Sequence, residues 1–260
     1  MRRIARIVRI FGAIICLFLP LQEICAEGVP PATFPPVNIA SLEAHLRALP
    51  RLNKMLEERS LQMGNRLFIR IFKQSFELEL WLQRDGGKFE HFKTYGICHR
   101  SGTIGPKLKR GDKQSPEGFY RITPAQMNPW SKFHLSFNLG YPNEYDRAHN
   151  RSGSALMIHG RCSSAGCIAM TDYYMDEIYT LATAALANGQ GSFQVHIFPF
   201  RMTDVQMELH RSSPWIGFWK NLKVGYDLFE KYLLVPQVTV HNKTYRFTHQ
   251  YDNTIARITP

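Results

Sequence analysis

The chain has 260 residues, 44% of them hydrophobic and 20% charged, enough for a sizeable core in one large domain with appendages. That balance excludes a mainly disordered chain, and 18 glycines and 15 prolines without a period exclude collagen-like and linker-dominated architectures. The formal charge of +11 would suit a nucleic-acid partner, but the N-terminus accounts for part of it.

Arg2, Arg3, Arg6 and Arg9 precede an apolar run from Ile10 to Leu19, which Pro20 ends; Ile24-Cys25-Ala26 then offers a small residue for cleavage. Charged, apolar, small is the order of a secretory signal peptide, assigned here to residues 1–26. The run is shorter than the ~20 residues of a membrane span, so membrane contact is expected only through this peptide. Cleavage after Ala26 removes four arginines and one glutamate, leaving 28 basic and 20 acidic residues and a charge of +8. For an exported protein the expected partner is an anionic envelope polymer, with no nucleic acid. Cys16 and Cys25 follow Ile15 and Ile24, where lipidation needs a small residue, so the mature cysteines are Cys98, Cys162 and Cys167.

Residues 27–40, with Pro30, Pro31, Pro35 and Pro36, read as an extended linker. Ser41 caps a helix to about Gln62, with Leu42, Leu46, Leu49 and Leu52 as its apolar face and Pro50 breaking it in two. From Asn65 the period becomes two: Leu67, Ile69 and Ile71 alternate with Phe68, Arg70 and Phe72, and Leu78, Leu80 and Leu82 with Glu77, Glu79 and Trp81. Asp85-Gly86-Gly87 is a turn before a strand over Phe89–Cys98, and the absence of helices between these strands predicts antiparallel pairing. Further strands are expected at Gly118–Ile122, His134–Leu139, Leu156–His159 and Phe193–Phe198. A helix capped by Thr171 or Asp172 runs to Asn188-Gly189, helical stretches follow at Thr203–His210 and Pro214–Tyr232, and a hairpin joins Val238–Val240 to Tyr245–Phe247. The expected fold is mainly β with α additions: residues 27–64 form the linker and N-terminal helical segment, 65–203 the principal domain, and 204–260 an extension packed on it.

The densest chemistry lies in Met157-Ile158-His159-Gly160-Arg161-Cys162-Ser163-Ser164-Ala165-Gly166-Cys167-Ile168-Ala169-Met170. An apolar strand delivers His159, and a short polar loop then delivers Ser164, Gly166 and Cys167. A thiol is only a few per cent thiolate at neutral pH; a neighbouring imidazole can lower its pKa and later protonate a leaving amine. Gly166 lets backbone approach an acyl carbon, and nearby N–H groups can stabilise an oxyanion. Two other readings stand beside this one: a buried cysteine next to a satisfied histidine, and a zinc tetrad of His159, Cys162, Cys167 and Cys98.

The segment Met157–Gly160 with Ser164-Ala165-Gly166-Cys167-Ile168-Ala169-Met170 resembles the active-site signature of the YkuD-like L,D-transpeptidases, bacterial cell-wall enzymes, and in its short His-to-Cys spacing the YafK-like branch. Tyr95-Gly96-Ile97-Cys98, Gly105-Pro106-Lys107, Gly111-Asp112, Ser115-Pro116-Glu117-Gly118-Phe119-Tyr120, Tyr145–His149 and Phe198–Thr203 fit the same branch. The resemblance implies an antiparallel β-sandwich with a helix after the catalytic cysteine. It also implies a periplasmic enzyme acting on peptidoglycan stem peptides through a Cys167 thioester. His159 serves as general acid and base, the Gly166 backbone as oxyanion donor, and no cofactor or metal is required. Two departures stand out: Ala165 occupies the place of a usual second histidine, and Ala169 that of a usual arginine. Both leave room for water as acceptor, hence for an L,D-carboxypeptidase or an amidase releasing an envelope protein attached to peptidoglycan. A non-catalytic peptidoglycan-binding module is the remaining alternative.

Weaker expectations attach to residues around this motif. Ser164, Arg161, Gly160, Arg147 and Ser115 are candidate substrate-binding groups. Arg147 would hold a peptide carboxylate or share a surface ion pair with Asp146; Ser115 sits in a turn-rich stretch; Arg161 would bind substrate or face water. Trp215, Phe218, Trp219, Tyr226, Phe229 and Tyr232, at near-helical spacing, read as core ahead of a sugar platform. Three thiols in an oxidising compartment leave one over. Cys98–Cys162 would leave Cys167 free, Cys162–Cys167 would block it as a redox switch, and Cys98 would otherwise be a buried small residue.

Overall fold

In the computed structural model, which describes residues 34–248, one continuous helix α1 (Ile39–Glu57) comes first. Its cap is Asn38, whose side chain accepts from Ser41 N, while the Ser41 hydroxyl reaches back to Asn38 N. Pro50 does not break it. The proline lies on the solvent side, where water can take the carbonyl its ring deprives of a partner. The buried face is also not the leucine face: Ala44, Ala48, Leu52 and Leu56 are buried, whereas Leu42 and Leu46 are 53% and 67% exposed. Small residues allow α1 to lie close on a later helix, residues Asp172–Ala187.

Strands β1 (Leu67–Phe72), β2 (Glu77–Gln83) and β3 (Phe89–Gly96) form the expected antiparallel meander. The chain then passes through β4 (His99–Arg100), β5 (Gly118–Ile122), β6 (Met127–Asn128), β7 (Ser136–Asn138), α2 (Glu144–Ala148), β8 (Met157–His159) and β9 (Ile168–Ala169). It continues with α3 (Asp172–Ala187), β10 (Phe193–Phe198), α4 (Asp204–Leu209), α5 (Ile216–Tyr232) and the hairpin β11 (Gln237–His241) to β12 (Thr244–Thr248). The first sheet has the order β3-β2-β1-β10-β5 and the second β4-β9-β8-β7-β6. Most pairs are antiparallel, but β1–β10 and β8–β9 are parallel, so the expected antiparallel sandwich is a pair of mixed sheets. β1 and β10 are distant enough in the chain for a crossover, which short-range hairpin reasoning does not see, whereas β8 and β9 are joined by the short loop of residues 160–167. The strand expected to reach Cys98 ends at Gly96. The strand expected at His134–Leu139 shortens to β7, because His134 takes φ +65°.

One face of β1 and β10 (Ile69, Ile71, Val195, Ile197) packs with α1, α3 and the second sheet in the main core. The other face is also covered, which is why all six residues of β1 are buried and its alternation is lost. There Phe72 and Phe198 meet Trp219 and Tyr226, and Phe68 meets Phe229, so the aromatic residues at these positions of α5 are core. The same face holds Arg70, which donates to Glu79 at 2.9 and 2.7 Å and stacks on Trp81 and Phe229. Among the described residues no helix is long and apolar enough to cross a membrane. The residues read as signal peptide and the first half of the linker lie outside the described range.

Candidate active site

The parallel register Ile158↔Ile168 and His159↔Ala169 joins the ends of the motif, and the loop between them carries Cys167. Extending that register by one residue sets Cys167 opposite Met157, and the Met157 N–H meets Cys167 Sγ at 3.4 Å. The thiol in turn donates to the Ala155 carbonyl at 3.7 Å. The backbone is set by Gly166, at φ +114°, a conformation that disfavours any side chain. Two hydroxyls then hold the Cys167 carbonyl: Ser164 Oγ at 2.5 Å and Ser115 Oγ at 3.3 Å. With that carbonyl fixed, the N–H groups of Gly166 and Cys167 have no protein acceptor among the described residues, leaving two donors beside the thiol.

His159 is 3% exposed, under the ring of Phe133 at 4.9 Å between centroids. Its Nδ1 lies 2.6 Å from the Gly160 carbonyl. A carbonyl only accepts, so Nδ1 carries the proton and the lone pair is on Nε2. No hydrogen bond joins His159 to Cys167 among the described residues. Burial pushes the Cys167 thiol above its ordinary value, against smaller opposing effects from the Met157 N–H and the Lys107 charge. Burial likewise pulls His159 down, against its bond to the Gly160 carbonyl. Both effects favour the uncharged forms, thiol and imidazole.

Gly160 is required sterically: a Cβ there would lie 2.6 Å from Asp172 Oδ1, 2.8 Å from His134 Cβ and 3.0 Å from the Phe133 carbonyl. Asp172, at the start of α3, accepts the Arg161 N–H at 2.6 Å and so ties the loop to the helix. The loop is tied on its other side by a Cys98–Cys162 disulfide with Cα atoms 5.4 Å apart, while Cys98 N donates to the Ala169 carbonyl at 2.8 Å. Cys167 stays free. The bridge takes two of the four donors of the zinc tetrad that the spacing permits.

The structure brings Gly160, Arg161, Ser164, Gly166 and Ser115 to the His159–Cys167 centre and leaves Arg147 out. Ser115 is fully buried, and its hydroxyl holds backbone; it is not positioned to touch a ligand. The Arg161 side chain is exposed, with its guanidinium 5.9 Å from the Phe133 ring. Arg147 donates to the Pro142 carbonyl and lines a separate cavity with Gln126, Asn143 and Val240. Asp146 pairs with Arg151 at 2.8 Å, so the expected Asp146–Arg147 pair does not form. Ala165 is exposed beside the thiol, whereas Ala169 is fully buried between β4 and β8.

Sequence reasoning missed the support beneath the loop. Lys73, fully buried, donates to the carbonyls of Gly105 (2.7 Å) and Ser115 (2.8 Å) and to Glu117 Oε1 (3.0 Å). Glu117 also accepts from Gly105 N at 2.6 Å and from Trp219 Nε1 at 2.8 Å. Nearby, Lys107 pairs with Asp112. Burial would raise the Asp112 carboxyl, but Lys107 and the N–H groups of Leu108, Lys109 and Gln114 together outweigh it and hold it at about 2. A lysine after a strand reads as surface; the only sequence signal was Glu117 inside the Ser-Pro-Glu-Gly turn.

Residues 70–233 match the family described as "YkuD: L,D-transpeptidase catalytic domain". The Escherichia coli (strain K12) protein named "Putative L,D-transpeptidase YafK" is 46% identical over 183 residues, 70% of this chain and 74% of that protein. The helical cell shape determining protein Pgp2 from Campylobacter jejuni is similar at 16% identity, covering 75% of this chain and 86% of that one, with a TM-score of 0.42. For Bdellovibrio bacteriovorus Bd1075 the identity is 19%, the coverage 71% and 82%, and the TM-score 0.37.

Proposed function

The chain belongs to the L,D-transpeptidase catalytic domain family, and from that premise we propose that it is an exported, periplasmic cysteine acyl-transfer enzyme acting on peptidoglycan stem peptides. Residues 65–203 serve as its catalytic domain and residues from 204 onward as an extension. The observation that carries the reading is the His159 tautomer: Nδ1 is committed to the Gly160 carbonyl, so Nε2 is the base available on the sheet that also presents Cys167.

His159 Nε2 takes the thiol proton as Cys167 Sγ attacks the carbonyl of an L,D peptide bond. The N–H groups of Gly166 and Cys167 receive the oxyanion. Collapse forms the thioester and expels an amine, which takes the proton back from Nε2. An acceptor then attacks the thioester carbonyl, its proton passing to His159, and the thiol is released. An amine acceptor yields a new amide, and water yields a carboxylate.

Hydrolysis is the second reading, and a specific observation favours it: Ala165 leaves the approach to the thiol exposed where a second imidazole would otherwise stand. Purified protein incubated with defined muropeptides and with protein-bearing sacculi, with products read by mass, tests both. A new amide supports transfer, and a stem shortened to a free carboxylate with its terminal amino acid released, or a freed envelope protein, supports hydrolysis. No product from any substrate leaves only the binding-module alternative.

A further inference from the structure

Away from Cys167, a cavity of about 250 Å³ lies at one end of the first sheet, and no residue of the candidate active site lines it. Its floor is the continuation of the sheet face that α5 covers further along. Because Ile69 pairs with Val195 and Gln194 with Arg121, Phe68, Gln194 and Arg121 fall in one cross-strand row. One step towards the sheet end, the same registers set Gln83, Arg66 and Ser192 side by side. Phe89, Leu234, Val235 and Gln237 are among the residues that close the cavity, and no aspartate or glutamate lines it.

The neutral groups of this floor are already committed. Gln194 donates to the Pro236 carbonyl at 3.0 Å and its Oε1 meets His196 Nε2 at 2.9 Å, while Gln83 donates to the Gly87 carbonyl at 2.6 Å. Gln190 is used in both directions by the Leu67 backbone. Besides the amide of Gln237 at the rim, what remains is cationic. Arg121 spends Nη1 on Ser192 Oγ at 2.9 Å, and the Arg66 guanidinium has neither a hydrogen bond nor an ion pair among the described residues. Their Cα atoms stand two strands apart and two residues offset, about 12 Å from strand spacing and rise. Two arginine side chains can close that gap on a single group between them.

We propose that this cavity is an oxyanion-binding site in which Arg66 and Arg121 hold a phosphate or carboxylate group from two sides. The guanidinium fork suits both, and an anion offsets the repulsion between two cations that no carboxylate of the protein neutralises. The site is independent of the thiol chemistry proposed above.

The test is calorimetric titration of the full chain with inorganic phosphate and, separately, with acetate at constant ionic strength. Saturable binding of one anion per chain is expected, weakened roughly tenfold or more in Arg66→Gln and in Arg121→Gln. It should be unchanged in Arg211→Gln, whose arginine pairs with Glu208 on the surface. Binding of phosphate alone assigns a phosphate-bearing ligand, and binding of acetate as well assigns a carboxylate. No saturable binding of either anion, or binding that survives both substitutions in folded protein, overturns the proposal. Cys167→Ser binds the anion undiminished if the site is separate, so failure here and failure of the acyl-transfer reading are told apart.

Discussion

At the scale of single residues, burial acts on Cys167 and His159 in opposite senses and favours the uncharged form of each. The thiol is raised from 9.0 and the imidazole lowered from 6.5. In the proposed reaction His159 therefore acts as base at the moment of attack. Activity (kcat/KM) is expected to fall in acid only with an apparent pKa below 6.5, and an acid limb centred above that value would contradict the assignment. The same shift bears on stability. A group neutral in the fold and titrating lower than in the unfolded chain lets the unfolded state take up protons first. Stability is thus lost as pH falls below about 6.5, and His196, fully buried, acts in the same direction. Denaturant midpoints at pH 7.5 and 5.5 should show the drop. Cys167→Ser should abolish turnover and covalent labelling by a carbapenem-type β-lactam. His159→Ala should cost roughly 100-fold or more. His149→Ala should be mild, since that ring stacks on Tyr145 at 4.1 Å and bonds its carbonyl. Equal losses in the two histidine variants would show a shared role.

At the scale of elements, α1 and the loop that carries Cys167 each show what a local pattern leaves open. The helix presents Leu42 and Leu46 to solvent and Ala44 and Ala48 to α3. Ala48→Leu should therefore overpack and cost about 1–3 kcal/mol, whereas Leu46→Gln should stay within about 0.5 kcal/mol. Urea unfolding of the two variants decides which face is buried, and the reverse ranking would restore the leucine face. The disulfide closes a long loop, Cys98 and Cys162 being 64 positions apart. The chain-entropy account gives up to roughly 4 kcal/mol for such a loop. Cys98→Ser should lower the unfolding midpoint and, because Cys98 and Ala169 are also joined through backbone, loosen the loop that carries Cys167. Wild type under reducing conditions should match the variant. Non-reducing peptide maps should show residues 98 and 162 linked and Cys167 alkylated.

At the scale of the whole molecule, the Lys73–Glu117 pair connects parts that are remote in sequence. Lys73 follows β1, Glu117 precedes β5, and Trp219 in α5 donates to Glu117. Through Ser115 the network reaches the Cys167 carbonyl. Both side chains are fully buried, so removing one charge strands the other. Glu117→Gln should destabilise by roughly 3–5 kcal/mol. Its double variant with Lys73→Met should lose less than the sum of the singles, as groups in direct contact do. A cost below about 1 kcal/mol in chemical unfolding would show that the pair is not the anchor described here.

The sequence by itself determined much of this protein. Period-two runs placed β1 and β2, strands were expected where β5 and β10 form, a cap at Thr171 or Asp172 placed α3, and the His159–Cys167 motif put an imidazole and a thiol at the two ends of one short loop. Each of these is settled within a dozen residues, by pleat, by cap geometry or by a short loop. Only the tertiary structure decided which face of α1 is buried, that Pro50 is tolerated, and that β1 and β10 run parallel. It alone sent Arg147 to another cavity, carried Lys73 into the interior and buried Cys167 and His159 enough to favour their uncharged forms. The physical reason is common to these cases: burial and partnership are set by residues dozens of positions away. A lysine, a leucine or a thiol has the same sequence neighbours whether the fold covers it or leaves it in water.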